Sequence, residues 1–114
     1  MSDCIFCKIV ARTIPATLVY QDDVVVAFDD INPQAPIHTL VIPRKHVTSI
    51  AELEDLDVGL IGGLILAGNN IAKLKGIADS GYRFVINTGS NGGQTVFHLH
   101  LHVLGGRHMT WPPG

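Results

Sequence analysis

Apolar positions along this chain fall first at helical spacing, then in β-rich runs, then in one long helical stretch, and finally in β-rich runs again. Residues Cys4 to Thr13 form a short helix-compatible segment. It ends before Ile14-Pro15, because the residue ahead of a proline is driven out of the helical region. Thr17 to Tyr20 and Val24 to Phe28 are two β-rich runs separated by Gln21-Asp22-Asp23, which predicts a hairpin. Asn32-Pro33-Gln34-Ala35-Pro36 is loop, since two close prolines break both ladder and helix. His38 to Pro43 is the next strand. From Ala51 to Lys75, Leu53, Leu56, Leu60, Leu64 and Ile71 recur at three- and four-residue steps, which predicts a long helix. Val58, Ile61, Ile65 and Leu66 add apolar side chains on other faces, so the helix is buried on more than one side. Tyr82 to Asn87 is a strand, Thr88 to Gly93 a glycine-rich turn, and Val96 to Leu104 an alternating final strand. Antiparallel strands with one long helix define an α+β domain.

Gly62, Gly63 and Gly68 each cost the long helix about 1 kcal/mol relative to alanine. They are tolerated where another backbone comes close. That backbone belongs either to a second copy across a dimer interface or to the chain's own sheet.

The length of 114 residues suits a single domain spanning 1–114. With 46% hydrophobic and only 16% charged residues, the chain is too apolar to be disordered. A formal net charge of −2 and the lack of a basic tract exclude electrostatic binding to a nucleic-acid duplex or an anionic membrane. The start, MSDCIFCKIV, carries no secretory signal pattern. The most apolar run, Val58 to Ala67, is about half the ~20 residues that span a bilayer. A cytoplasmic setting is expected. Two cysteines, Cys4 and Cys7, lie three apart, a spacing that in such a setting points to metal or redox chemistry rather than a structural disulfide.

The segment His98-Leu99-His100-Leu101-His102-Val103-Leu104 carries the most chemical information. In a strand, three histidines spaced by two share one face and the leucines between them face the core. Same-face neighbours are roughly 6.5–7 Å apart along a strand, too far for one proton transfer by all three but suited to lining a phosphate-sized groove. A neutral imidazole offers a nucleophilic nitrogen near pH 7, and a protonated neighbour can donate to phosphate oxygens or a leaving group. Covalent capture then divides one hard displacement into two easier ones. The competing reading is zinc held by His-x-His, as in metallohydrolases.

The run HLHLHVL, with GGQTVF before it and LGGRHMTWPPG after it, resembles the histidine-triad (HIT) superfamily, and specifically its Hint branch. The resemblance extends through IFCKIV, FDDINPQAPIHTLVIPRKH and YRFVINTGSNGGQ, covering nearly the whole chain. It implies a five-stranded antiparallel sheet with one long helix and a short N-terminal helix. Two copies would join into a ten-stranded dimer sheet, with the tail 105–114 reaching the partner's active site. It also implies a purine nucleoside phosphoramidase acting on adenosine 5′-phosphoramidates without a catalytic cofactor.

By that resemblance His100 is the nucleophile, His102 contacts the phosphate and assists the leaving amine, and His38 stands beside the nucleophile. Gly93, Gln94 and Thr95 are assigned to the phosphate and leaving group, with backbone N–H groups of the glycine-rich loop aimed at phosphate oxygens. Thr95 replaces a serine common in the branch. Asn87 is a nucleotide contact, and Asp30 anchors the ribose, because a carboxylate can accept from two vicinal hydroxyls. Ile31 presses on the purine, Ile5, Phe6 and Phe28 complete an apolar slot, and Trp111 lies in the tail. Asp29 is expected to be a solvated neighbour.

Related proteins complete a Cys4/Cys7 zinc site with two histidines, and the matching positions here are His46 and His98. A zinc held there would be structural; the alternatives are two reduced thiols or a redox pair. Three other functions stay open: a dinucleoside polyphosphate hydrolase or nucleotidyl transferase of the same superfamily, a non-catalytic nucleotide-binding regulatory partner, and a zinc hydrolase on the triad.

Overall fold

The computed structural model describes residues 3–114. In chain order the elements are α1 (Ile5–Val10), β1 (Leu18–Gln21), β2 (Val25–Asp29), β3 (Ile37–Pro43), α2 (Val58–Leu74), β4 (Tyr82–Val85) and β5 (Leu101–Gly105). The five strands form one sheet in the order β1-β2-β3-β5-β4, and every neighbouring pair is antiparallel.

Alternation along the central strands sorts side chains to two covered faces. Val25, Ala27, Val41, Leu101 and Val103 face α2, where they pack with Leu64, Ala67 and Ile71. Val26, Phe28, Leu40 and Ile42 face the other way and pack with Phe6 and Ile9 of α1. Burial on both faces explains why β2 and β3 read as nearly continuous apolar runs. His38 and His102 share the α1 face, being in phase with Leu40 (the strand partner of His102) on β3.

Two predicted boundaries are corrected. The helical pattern expected to begin at Ala51 starts as two 3-10 turns, Ile50–Glu52 and Asp55–Asp57, and the α-helix begins at Val58. Ser49 caps the first turn by accepting from the Ala51 N–H, and Leu53 then breaks into an extended conformation. Asp57 accepts from the Glu54 N–H and closes the second turn. Leu56, counted above with the helix's apolar face, is exposed.

The last strand, expected from Val96, pairs only from Leu101 onward. Its register with β3 would set Leu99 against Pro43, which has no N–H for a ladder. Leu99 instead donates to the Val47 carbonyl at 2.6 Å.

Gly68 resolves one alternative. A Cβ there would lie 2.7 Å from Phe84 Cζ and 3.0 Å from Leu101 Cδ2, so the close neighbour is the chain's own sheet, met through side chains rather than through a backbone. At Gly62 nothing lies within 4 Å.

Candidate active site

The three histidines of the row divide between two sites. His98, fully buried, lies in the bend before β5, and its Nε2 is 2.9 Å from the Pro43 carbonyl oxygen. A carbonyl only accepts, so Nε2 carries the proton and Nδ1 keeps its lone pair in the neutral ring. Burial is the first cause holding this histidine below its usual pKa, which keeps the ring neutral. Nδ1 looks onto Cys4 Sγ at 3.4 Å, Cys7 Sγ at 3.6 Å and His46 Nδ1 at 3.2 Å, and Cys7 Sγ is 3.2 Å from the same His46 nitrogen. The edges of a tetrahedral zinc site with two sulfurs and two nitrogens measure about 3.3–3.8 Å, from the usual bond lengths. The donor set Cys4, Cys7, His46 and His98 fits a structural zinc, and the Pro43 carbonyl supplies the outer hydrogen bond that orients such a ligand.

His100 lies on the same α1 side but outside the Cys/His cluster. It is nearly buried, and its Nδ1 donates to the His98 carbonyl oxygen at 2.8 Å. In the neutral ring that leaves Nε2 with its lone pair, the form a nucleophile needs. The Phe6 ring stands edge-on to both, with centroids 5.9 Å from His98 and 5.2 Å from His100. Phe6 also meets Phe28 edge-on at 5.5 Å.

The His100 and His102 ring centroids lie 4.9 Å apart. The tautomer of His102 follows from a chain of hydrogen bonds beginning in the proline loop. The Gln34 N–H donates to His38 Nδ1 at 3.0 Å, so His38 carries its proton on Nε2. That proton points to His102 Nδ1 at 2.8 Å, so His102 carries its own on Nε2. Among the described residues, His102 Nε2 and Thr88 Oγ1 are the buried side-chain polar atoms without a partner. A buried donor without an acceptor is costly, and a ligand oxygen or nitrogen there would satisfy it.

Burial first, then the neighbouring His100 and His38, push His102 down to about pKa 4, with Asp30 opposing. Burial also lowers His38, again opposed by Asp30. Asp30 Oδ2 is 3.5 Å from His38 Nε2, while Oδ1 accepts from the Asn32 N–H. Asp30, His38 and His102 form a second cluster of metal-capable donors. A metal there would need a lone pair on His38 Nε2, and the Gln34 N–H places the proton on that nitrogen.

The other predicted residues are distributed unevenly. Ile31 is fully exposed next to Asp30, and Ile5 is half exposed on α1, whereas Phe6 and Phe28 are buried. Asn87 follows the end of β4, and extending the register of β4 with β5 sets it across from His100. The glycine loop is tight: a Cβ at Gly92 would fall 2.4 Å from the Thr88 carbonyl oxygen, and Gly93 has a φ of 84°. The N–H groups of Gly93 and Gln94 donate within the loop, to Ser90 O and Gly89 O. The buried Gln94 amide is likewise engaged, accepting from the Gly89 N–H and donating to Thr48 O and Val96 O. Gln94 therefore shapes the loop, while Thr95 is exposed beside it.

Asp29 is not merely solvated. It accepts from the buried Thr39 hydroxyl at 2.8 Å and pairs with Lys75 at 2.9 Å, tying the end of β2 to the end of α2. Trp111 is exposed on the tail. An open cleft of about 360 Å³ between Ile9, Arg12 and Leu18 contains no histidine. The site residues that the sequence reading missed are Gln34 and Pro43. Both act through backbone atoms, which leave no signature in side-chain identity.

A five-stranded antiparallel sheet with hydrogen-bonded histidines on two neighbouring strands, His100 just ahead of one of them and a Cys/His cluster beside it defines a class. The HIT domain model matches residues 11–109, and the chain belongs to the HIT family. It is 52% identical over 112 residues to an uncharacterized HIT-like protein of Synechocystis, covering 98% of this chain and 97% of that one. It is 49% identical over 115 residues to a 14 kDa zinc-binding protein of Zea mays, covering 99% of this chain and 89% of the other. A solved HIT family hydrolase from Legionella pneumophila superimposes with a TM-score of 0.96 at 49% identity, covering 98% of this chain and all of that one. A histidine triad protein from Clostridium difficile gives 0.93 at 46% identity, with 96% of each chain covered. Among the described residues no helix is long and apolar enough to cross a membrane.

Proposed function

We propose that the protein is a nucleotide hydrolase of the Hint type, cleaving the P–N bond of adenosine 5′-phosphoramidates through a covalent adenylyl-His100. One observation carries this reading. The His98 carbonyl fixes the His100 proton on Nδ1, which aims a bare Nε2 into a site where His102 presents an unpartnered Nε2–H.

His100 Nε2 attacks the α-phosphorus, and the P–N electron pair leaves with the amine nitrogen, which takes up a proton. The His38–His102 pair provides that proton. Its burial keeps it neutral when empty, and the anionic phosphate offsets that effect, so the pair takes up one proton as substrate binds. While it is held, the His38 N–H turns to Asp30 Oδ2, 3.5 Å away. His102 Nε2 delivers the proton to the amine, then accepts one from the water that attacks the adenylyl-histidine. AMP leaves, and the rings return to their starting state.

Asp30 retains acceptor capacity for ribose hydroxyls, and exposed Ile31 with Ile5 offers apolar surface for a purine, backed by Phe6 and Phe28. Asn87, Gly93 and Thr95 border the phosphate and the leaving group. The active form is a homodimer. Supporting this, α2 leaves Val58, Leu66 and Leu74 exposed, β4 is a free sheet edge and Trp111 is exposed on the tail, which in the proposed dimer would reach the partner. A cytoplasmic setting keeps Cys4 and Cys7 reduced, as a zinc site requires.

The test is incubation with adenosine 5′-phosphoramidate, following ammonia and AMP, with rapid quenching and intact-mass analysis for an added adenylyl group. Hydrolysis of diadenosine triphosphate at a higher rate would move the protein to the polyphosphate hydrolases. Neither an adduct nor ammonia would leave only a nucleotide binder.

A further inference from the structure

The root of the C-terminal tail is docked on the loop that sets the histidine tautomers. β5 ends with Gly105 paired to Ile37. Gly106, at a φ of 88°, passes so close to Pro36 that a Cβ would meet the proline ring at 2.9 Å. Arg107 then reaches back, its Nη2 3.1 Å and its Nε 3.4 Å from the Gln34 carbonyl oxygen. A guanidinium holding one carbonyl with two N–H groups fixes that residue in orientation as well as position. The N–H of the same residue is the donor to His38 Nδ1.

We infer that Arg107 is a positioning residue for proton transfer: by clamping Gln34 it keeps the Gln34 N–H on His38 Nδ1, so the catalytic proton can lodge only on His102. This rests on the reaction proposed above for its kinetic consequences, but not for its structural one. With Nδ1 of His38 occupied by a donor, a proton taken up by the pair has no site on His38. It must go to the ring that faces substrate. Were Gln34 to swing away, His38 could take the proton at Nδ1, beyond reach of the leaving group. Arg107 touches neither substrate nor the reacting rings. Its effect runs through one backbone residue, from tail root to imidazole.

The step it serves is protonation of the departing nitrogen as the P–N bond breaks. An amine needs that proton, whereas a 4-nitrophenolate leaves without it. The experiment therefore compares Arg107→Ala, Arg107→Lys and the wild type on adenosine 5′-phosphoramidate and on the 4-nitrophenyl ester of AMP. The expected result for Arg107→Ala is a fall in kcat of at least about tenfold on the amide, with KM within about twofold, and a fall of less than about twofold on the ester. Arg107→Lys should recover part of the loss.

Long-range nitrogen–proton NMR of the ligand-free protein reads the tautomers directly. The wild type should show His38 protonated on Nε2 alone, and Arg107→Ala a mixture of both forms. Arg83→Ala is the control, since Arg83 holds the tail farther along, at the Thr110 carbonyl, and should leave the His38 spectrum unchanged. An unaltered His38 spectrum in Arg107→Ala, or equal losses on amide and ester, would overturn the inference. If no variant hydrolyses the amide while the spectrum changes as expected, the proposed reaction fails and the positioning role stands.

Discussion

His100 Nδ1 donates to the backbone carbonyl of His98 at 2.8 Å, while the ring of His98 points away into the Cys4/Cys7/His46 cluster. One residue thus supports the proposed nucleophile through its main chain and a zinc-type donor set through its side chain. The carbonyl pre-sets the tautomer, so in the proposed reaction no proton needs removing from His100 before attack. His100→Ala should lower kcat at least about 1,000-fold and abolish the adenylyl adduct, because the lone pairs of the other two imidazoles of the site, His38 Nδ1 and His102 Nδ1, are engaged by hydrogen bonds. AMP affinity by calorimetry should stay within about threefold, since in the proposed pose Asp30, Ile31 and Ile5 rather than His100 hold the nucleoside. Turnover above a few per cent of wild type would remove His100 from the nucleophile's role.

Metal analysis of the purified protein should find about one zinc per chain, and Cys4→Ser with Cys7→Ser should abolish it. Chelation should lower the melting temperature by several degrees, because folding and ligation are linked. Turnover in chelated protein that remains folded should fall by less than about tenfold. A complete loss on chelation, restored by zinc at unchanged folded content, would return the zinc-hydrolase reading.

Acid should destabilise the fold through His102. Its pKa lies near 4 in the folded chain, against about 6.5 when unfolded, so the unfolded chain binds the extra proton first. Stability is therefore complete above pH 6.5 and declines as pH falls towards 4. His38 and His98 are lowered too and add slope of the same sign. His102→Gln should lose less melting temperature than wild type between pH 7 and pH 4.5. An equal or larger loss would contradict the burial argument for this ring.

How much of this was legible in the sequence depended on which atoms carry the function. Alternation placed His100 and His102 on one face and Leu101 on the other, because side-chain phase follows residue identity directly, whereas His38 entered only through the family resemblance. At His98 the strand itself gives out, since Pro43 ends the ladder, yet the ring stays on the α1 side beside Phe6, Cys4 and Cys7. Leu56 fitted a helical period and is exposed, because Asp57 closes a 3-10 turn around it. Asp29 looked solvated, as its partners Thr39 and Lys75 are distant in sequence. The Gln34 N–H and the Pro43 and His98 carbonyls set three imidazole tautomers, and any residue type except proline offers that N–H.

Two glycines in α2 should respond to alanine with opposite sign. At Gly68 the added carbon would meet Phe84 Cζ at 2.7 Å and Leu101 Cδ2 at 3.0 Å. Both belong to packed side chains of the sheet, so relief requires moving the helix or repacking β4, at a cost of about 1–3 kcal/mol. Gly62 has nothing within 4 Å in the single chain, and alanine there should stabilise the helix by about 0.5–1 kcal/mol if that face stays in water. If two copies pack through Val58, Gly62 and Leu66, the same methyl sits in an interface, and its helix gain is offset by weaker assembly. Chemical denaturation gives the first quantity and sedimentation the second. Leu66→Asp should shift the protein to monomer by placing a charge at the centre of the exposed stripe, whereas an unchanged sedimentation coefficient would place the dimer contact elsewhere.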